Sequence, residues 1–263
     1  MPFNNPMSAP FSFSLIKSSL KASGVALVSA CLFGPALAAS ALAAPALAET
    51  TILSPTPKAY RPPADNRPPR GPFIPGARRS GCQGLLHNGL TAIAPQQQVG
   101  QTISTQPTLT WFVSDDTAYD MALQLYEYSQ DQWVKLSEVD LGPSQRGYSA
   151  YRLPETTPLK VGGLYRWQII LECDPARPSR NKVEIAQFEV VSAPANLDVA
   201  SATSLAAAQQ YAAAGFWYDA IALLIEDALP PAAITYRNTL LQTLAETESP
   251  NLSAQLLSIA GEK

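Results

Sequence analysis

Between Leu90 and Val191 the chain alternates apolar and polar residues in short runs rich in β-branched and aromatic side chains, the pattern of strands with one buried face. In PTLTWFVSD, Leu109, Trp111 and Val113 share one side; in MALQLYEYS, Met121, Leu123 and Leu125 do so. QWVKLSEVDL, GYSAYRL, GGLYRWQIILEC and VEIAQFEVV continue the series, and a further strand is expected near Gln98 to Ser104. The count is about seven, with turn residues at Gly142-Pro143-Ser144 and Val161-Gly162-Gly163, which predicts an antiparallel sandwich. The clearest alternation sends Tyr165, Trp167, Ile169, Leu171 and Cys173 to one side of the stretch Gly162 to Cys173.

From Ala200 the repeat becomes helical. Leu205, Ala208 and Ala212 align on one segment; Trp217, Ile221, Leu224 and Ala228 align on the next, with Gly215 between them. Pro231 suits a first helical position for a helix to Thr247, and Ser249-Pro250 opens a last one that Gly261 ends. The expected fold class is therefore α+β, mainly β. It comprises a fibronectin/immunoglobulin-like antiparallel β-sandwich followed by a small C-terminal α-helical subdomain. Within the latter, YAAAGFWYDAIALL resembles the middle of a tetratricopeptide repeat, with Ala220-x3-Leu224 in place of the usual Ala-x3-Phe. A lone repeat forms no stacked groove, so the hairpin is expected to pack on the β-domain or on itself, with Trp217 as core.

The first 48 residues change where this fold is expected to work. They contain Lys17 and Lys21 but no acid, then an apolar small-residue run and A-x-A sites ending at Ala38, Ala43 and Ala48. This is the signature of a secretory signal, with cleavage favoured after Ala48 and a periplasmic or extracellular destination. Gly24, Gly34 and Pro35 argue against a retained span, and a lipoprotein anchored at Cys31 is a minor alternative. Loss of Cys31 with the signal leaves Cys82 and Cys173, which in an oxidising compartment are expected to form a disulfide. The other roles open to these thiols need a CxxC redox pair or further zinc ligands, and the chain has a single histidine, His87.

Charge divides the exported part. Residues 49–80 hold six basic side chains against two acidic ones, and the rest holds ten against nineteen. The basic tract KAYRPPADNRPPRGPFIPGARR is rich in proline and poor in apolar residues, and is expected to be a disordered or polyproline-like arm. The resulting layout is a signal peptide over 1–48, a Pro/Arg-rich disordered arm over 49–80, a β-sandwich over 81–195 and the helical subdomain over 200–263. An acidic folded part on an exported chain does not fit a nucleic-acid partner.

Chemistry-bearing motifs are sparse. There is no GxSxG elbow, HExxH, P-loop or dinucleotide glycine pattern, so no catalytic, cofactor-binding or metal residue is expected. His87 reads as a loop or packing residue and Asp115-Asp116 and Glu226-Asp227 as solvated acids; a calcium loop would need more oxygen ligands at closer spacing than Asp115, Asp116 and Asp120 supply. The residues singled out are structural: the disulfide Cys82 and Cys173, and the core aromatics Trp111, Tyr165, Trp167 and Trp217.

Four stretches carry a closer likeness: LTAIAP, then Gly100-Gln101-Thr102 leading to QPTLTWFV, then RLPETTPLKVGGLYRWQIILECDP, and YAAAGFWYDAI. In this order and spacing, from Cys82 to about Leu244, the chain resembles the cyanobacterial family known as domain of unknown function 928. It departs from the family before the first cysteine, where the glycine-rich segment is reduced to GARRSGCQG, and after PTLTWFV. The resemblance implies an exported protein that keeps both cysteines, and it assigns no activity. The expected role is a non-catalytic extracytoplasmic binding or scaffold module for a protein or envelope polymer. The alternative is an enzyme of unrecognised class acting on a cell-wall or exported substrate.

Overall fold

The computed structural model describes residues 60–64, 67–71, 82, 89–174, 176–226 and 228–262, all within one compact unit, Leu53–Lys263. The signal-like segment, Cys31, His87 and Asp227 lie outside the described residues. Eight strands come first: β1 (Leu90–Ala92), β2 (Gly100–Thr102), β3 (Thr108–Val113), β4 (Asp120–Ser129), β5 (Gln132–Pro143), β6 (Gly147–Arg152), β7 (Leu164–Glu172) and β8 (Lys182–Val190). Helices α1 (Ser204–Ala214), α2 (Trp217–Ala222), α3 (Pro231–Ala245) and α4 (Pro250–Gly261) follow. The chain is thus mainly β, with a few C-terminal helices.

The strands form two sheets, one ordered β1-β3-β6 and the other β2-β8-β7-β4-β5. All pairings are antiparallel except that of β2 with β8. Strand β1 has only three residues, too short for a periodicity to appear, and was not expected from the sequence. Strands β4 and β5 join through Gln130 and Asp131, both at positive φ, the backbone of a tight hairpin whose twist matches its strands. In β7 the alternation is complete: Tyr165, Trp167, Ile169 and Leu171 are buried while the residues between them are half-buried. Cys173 falls one residue past the end of that strand.

The buried residues of sheets and helices form a single cluster. Trp167 and Trp217 are both fully inaccessible, Tyr165 is 1% exposed and Trp111 4%. Burial of a large apolar side chain stabilises by about 1.5–3 kcal/mol, so these four anchor the core. Strand β3 is buried on both faces from Leu109 onward, because the helices cover the outer side of its sheet. There Thr91, Phe112 and Tyr148 lie in one cross-strand row. Gln255 of α4 shares a hydrogen bond with Thr91, and the Arg237 guanidinium of α3 sits 4.1 Å from the centre of the Tyr148 ring.

Helix α1 ends where Gly215 adopts φ +92°, a left-handed cap that a side chain would strain. Helix α2 is shorter than its apolar period, stopping at Ala222 rather than running on to Ala228. Its residues Trp217 and Tyr218 face the sheets. The Trp217 indole N–H donates to the Ile93 carbonyl (2.9 Å), and the Tyr218 hydroxyl accepts from the Trp167 indole (3.1 Å). Gly100 makes this approach possible, since a Cβ there would stand 2.7 Å from the Tyr218 ring.

Residues 60–64 and 67–71 are the described part of the tract expected to be a disordered or polyproline-like arm, and they contact the folded part. Tyr60 is 3% exposed and meets Trp217 edge-on, with ring centres 4.9 Å apart. The Arg61 amide donates to the Ala212 carbonyl at the end of α1 (3.1 Å). Farther along, the Arg67 carbonyl accepts from the Val99 amide (2.9 Å), beside edge strand β2. The tract is poor in apolar residues, but a single tyrosine suffices to plug the space between α2 and the sheets.

Candidate binding face

The outer face of the five-stranded sheet is built by the polar half of each strand's alternation. Across it the register places Gln187 of β8 opposite Arg166 of β7, Arg166 opposite Tyr126 of β4, and Tyr126 opposite Lys135 of β5. In the neighbouring row Tyr128 stands opposite Trp133, their rings edge-on at 5.1 Å. Arg166 extends over both Tyr126 (4.7 Å) and Trp133 (4.8 Å), so a cation is held between two aromatic rings. The Trp133 indole N–H and the Arg166 Nε are buried and have no hydrogen-bond partner among the described residues.

Residues Arg67–Gly71, the sequence RPPRG, lie across this face. Arg67 forms an ion pair with Glu189 of β8. The Arg70 amide donates to Gln187 Oε1 (2.9 Å), and Gln187 Nε2 donates back to the Arg70 carbonyl (2.8 Å). One buried side chain, 1% exposed, therefore reads both main-chain groups of a single residue. The Arg70 guanidinium lies over Tyr128 at 5.0 Å, and a Cβ on Gly71 would stand 3.3 Å from Trp133 Nε1. The face can therefore hold extended backbone by a two-point amide clamp and hold cationic side chains by aromatic rings and a carboxylate.

A second group of polar residues ties the helices to the loops. Asp219 of α2 accepts from the Ile103 amide (3.1 Å), and desolvation pushes its carboxyl up to about 6 against that bond. Glu248, in the α3–α4 turn, accepts from the amides of Gln96 (2.9 Å) and Gln97 (3.0 Å), and desolvation pushes it up to about 7. Burial also raises Glu184, which Gln96 Nε2 meets at 3.4 Å and Lys182 at 3.8 Å. Each of these three carboxylates is engaged in holding a loop or strand, and they stand on different elements.

Cys82 and Cys173 form a disulfide closing a span of 91 residues. The acids noted in the sequence are dispersed. Asp115 accepts from the Thr117 amide (2.8 Å), Asp116 pairs with Arg146 (3.3 Å), and Glu226 is exposed. Among the described residues no cluster of three His, Cys, Asp or Glu side chains forms, and no helix is long and apolar enough to cross a membrane. Sequence reasoning did not single out Tyr126, Tyr128, Trp133, Arg166 or Gln187. The available signal was aromatic: the polar half of MALQLYEYS carries two tyrosines, where a solvated face normally carries small or charged residues.

Three solved structures resemble the chain distantly. One is a lytic polysaccharide monooxygenase important for efficient utilization of chitin in Cellvibrio japonicus, at 11% identity and TM-score 0.25, covering 36% of this chain and 57% of that one. The superoxide reductase (neelaredoxin) of Ignicoccus hospitalis matches at 15% identity and TM-score 0.26, over 39% and 80% of the two chains. Vertebrate-specific astrotactin-2 matches at 12% identity and TM-score 0.28, over 66% and 36%. Scores this low bear on neither fold nor function. No curated protein matches the sequence. Residues 74–252, more than half of the chain and both sheets with most of the helices, match the family described as Domain of Unknown Function (DUF928), and the chain belongs to that family.

Proposed function

We propose that the protein is a non-catalytic extracytoplasmic binding or scaffold module for a protein or envelope polymer, built on a fibronectin/immunoglobulin-like sandwich with the outer face of the five-stranded sheet as its contact surface. The observation that carries this reading is the aromatic–arginine face itself. Tyr126, Tyr128, Trp133 and Arg166 form a partly exposed layer on the side of the sheet away from the shared core. Large aromatics with an arginine among them are the side chains that dominate binding surfaces.

The strand order supports the sandwich. Strands β1, β3 and β6 occupy one sheet and β4, β7 and β8 the other, the division that immunoglobulin-like domains make between their A, B, E and C, F, G strands. Near the start of β7 the Tyr165 hydroxyl accepts from the Lys160 amide (2.9 Å), a bond of the kind that forms the tyrosine corner. The α1–α2 hairpin is tetratricopeptide-like in sequence, and its Trp217 and Tyr218 are used against the sheets rather than against a next repeat. The disulfide supports an oxidising compartment and so an exported protein.

Co-sedimentation of the full chain with isolated envelope material of the source cell tests the reading. The chain is expected to pellet, and the double variant Trp133→Ala, Tyr126→Ala to remain in solution with its far-UV spectrum unchanged. Equal pelleting of the two would move the contact surface elsewhere and refute the assignment of this face.

A further inference from the structure

Resting on that reading, we infer that the outer face of the five-stranded sheet is a receptor for arginine-flanked diproline segments of a partner polypeptide, and that Arg67–Gly71 is its built-in occupant. Recognition of proline-rich segments rests on two features: an aromatic-lined groove, and a ligand whose backbone is extended before it binds. Both are here. Pro68 and Pro69 fix their own φ and push the residue before each of them toward extended geometry, so the segment loses little entropy on docking. Tyr128 and Trp133 supply the aromatic floor. Gln187 clamps the Arg70 backbone through both amide groups, Glu189 takes Arg67, and Tyr128 takes Arg70. A glycan would make no use of a side-chain amide set to pair with a peptide N–H and C=O together, so the clamp favours polypeptide over polymer.

The seated segment is held in a way that permits exchange. Its contacts are one main-chain bond, from the Val99 amide to the Arg67 carbonyl, and side-chain contacts with a carboxylate, an amide and aromatic rings, and the Arg67 side chain is 51% exposed. Tyr60, by contrast, is locked into the core, so release of the RPPRG segment leaves the Tyr60 anchor in place. Occupancy in cis acts as a high effective concentration of competitor, which screens the face until a partner presents a better or more abundant segment.

The test uses the full chain and a fluorescein-labelled peptide of sequence Asn-Arg-Pro-Pro-Arg-Gly, with binding followed by anisotropy. The variant Arg67→Ser, Pro68→Ser, Pro69→Ser, Arg70→Ser weakens the occupant and is expected to bind the peptide at least about tenfold more tightly than the wild-type chain. Adding Trp133→Ala to it abolishes that binding. Arg70→Ala alone, which disturbs the fold least, is expected to fall between the two and decides the matter should the fourfold variant not fold. In a parallel arm the fourfold variant meets soluble peptidoglycan fragments. Binding of the fragments with no binding of the peptide overturns the inference and leaves the module's proposed role standing; binding of neither overturns both.

Discussion

Tyr218 shows how much of this fold rests on single polar contacts inside the core. Its hydroxyl is buried against the Trp167 indole, and desolvation pushes the phenol well above its ordinary value. Tyr218→Phe leaves the Trp167 N–H without its acceptor, and an unsatisfied buried donor costs about 1–3 kcal/mol. Trp167→Phe strands the hydroxyl instead. A double-mutant cycle by denaturant unfolding is expected to give a coupling of about 1 kcal/mol, and additive effects would mean that the two groups do not interact. Asp219 and Glu248 set a pH dependence at the same scale. Their folded values of about 6 and about 7 lie above their ordinary 3.8 and 4.5. The native state therefore binds more protons than the unfolded chain between about pH 4 and pH 7, and stability falls as pH rises through that window. The melting temperature is expected to be higher at pH 5 than at pH 8, with the difference reduced in Asp219→Asn and Glu248→Gln. A melting temperature that rises with pH in the wild type would contradict the burial of these groups.

Among the elements, the strap made by residues 60–64 and 67–71 changes the picture most. Tyr60→Ala is expected to cost about 3–5 kcal/mol, as for other buried large aromatics, whereas a residue in a disordered arm would cost nothing measurable. The strands were legible because a sheet with one buried face stamps a period of two on its sequence, as β4 and β7 do. The helix ends were legible because Gly215, Pro231 and Pro250 act through local backbone chemistry. The strap was not legible, for a physical reason. Its docking depends on a tyrosine that fills a distant gap and on main-chain groups paired with Gln187, neither of which appears in composition or periodicity. The same holds for the candidate face, since the alternation that revealed the core in Leu123, Leu125 and Trp167 passes over Tyr126, Tyr128 and Arg166 as merely the other side. Strand β1 escaped through its brevity, and α2 ends at Ala222 although Leu224, the next residue of its apolar period, is also buried.

In the whole molecule, sheets, helices and strap share one core, and a disulfide ties Cys82 to the end of β7. Cys82→Ser with Cys173→Ser is expected to lower stability by about 2–5 kcal/mol, with reductant reproducing the loss in the wild type. A fragment ending at residue 195 would uncover the outer row of Thr91, Phe112 and Tyr148 and is expected to lose cooperative unfolding. Independent folding of that fragment would show that the helices are an appendage. The central claim is that Arg67–Gly71 is seated on the aromatic face of the sheet, and amide hydrogen exchange of the full chain resolved to Arg70 tests it most directly. The Arg70 amide is predicted to exchange at least about tenfold more slowly than in an unstructured peptide, and Gln187→Ala to remove that protection. Exchange of Arg70 at the unstructured rate in the wild-type chain would contradict the account.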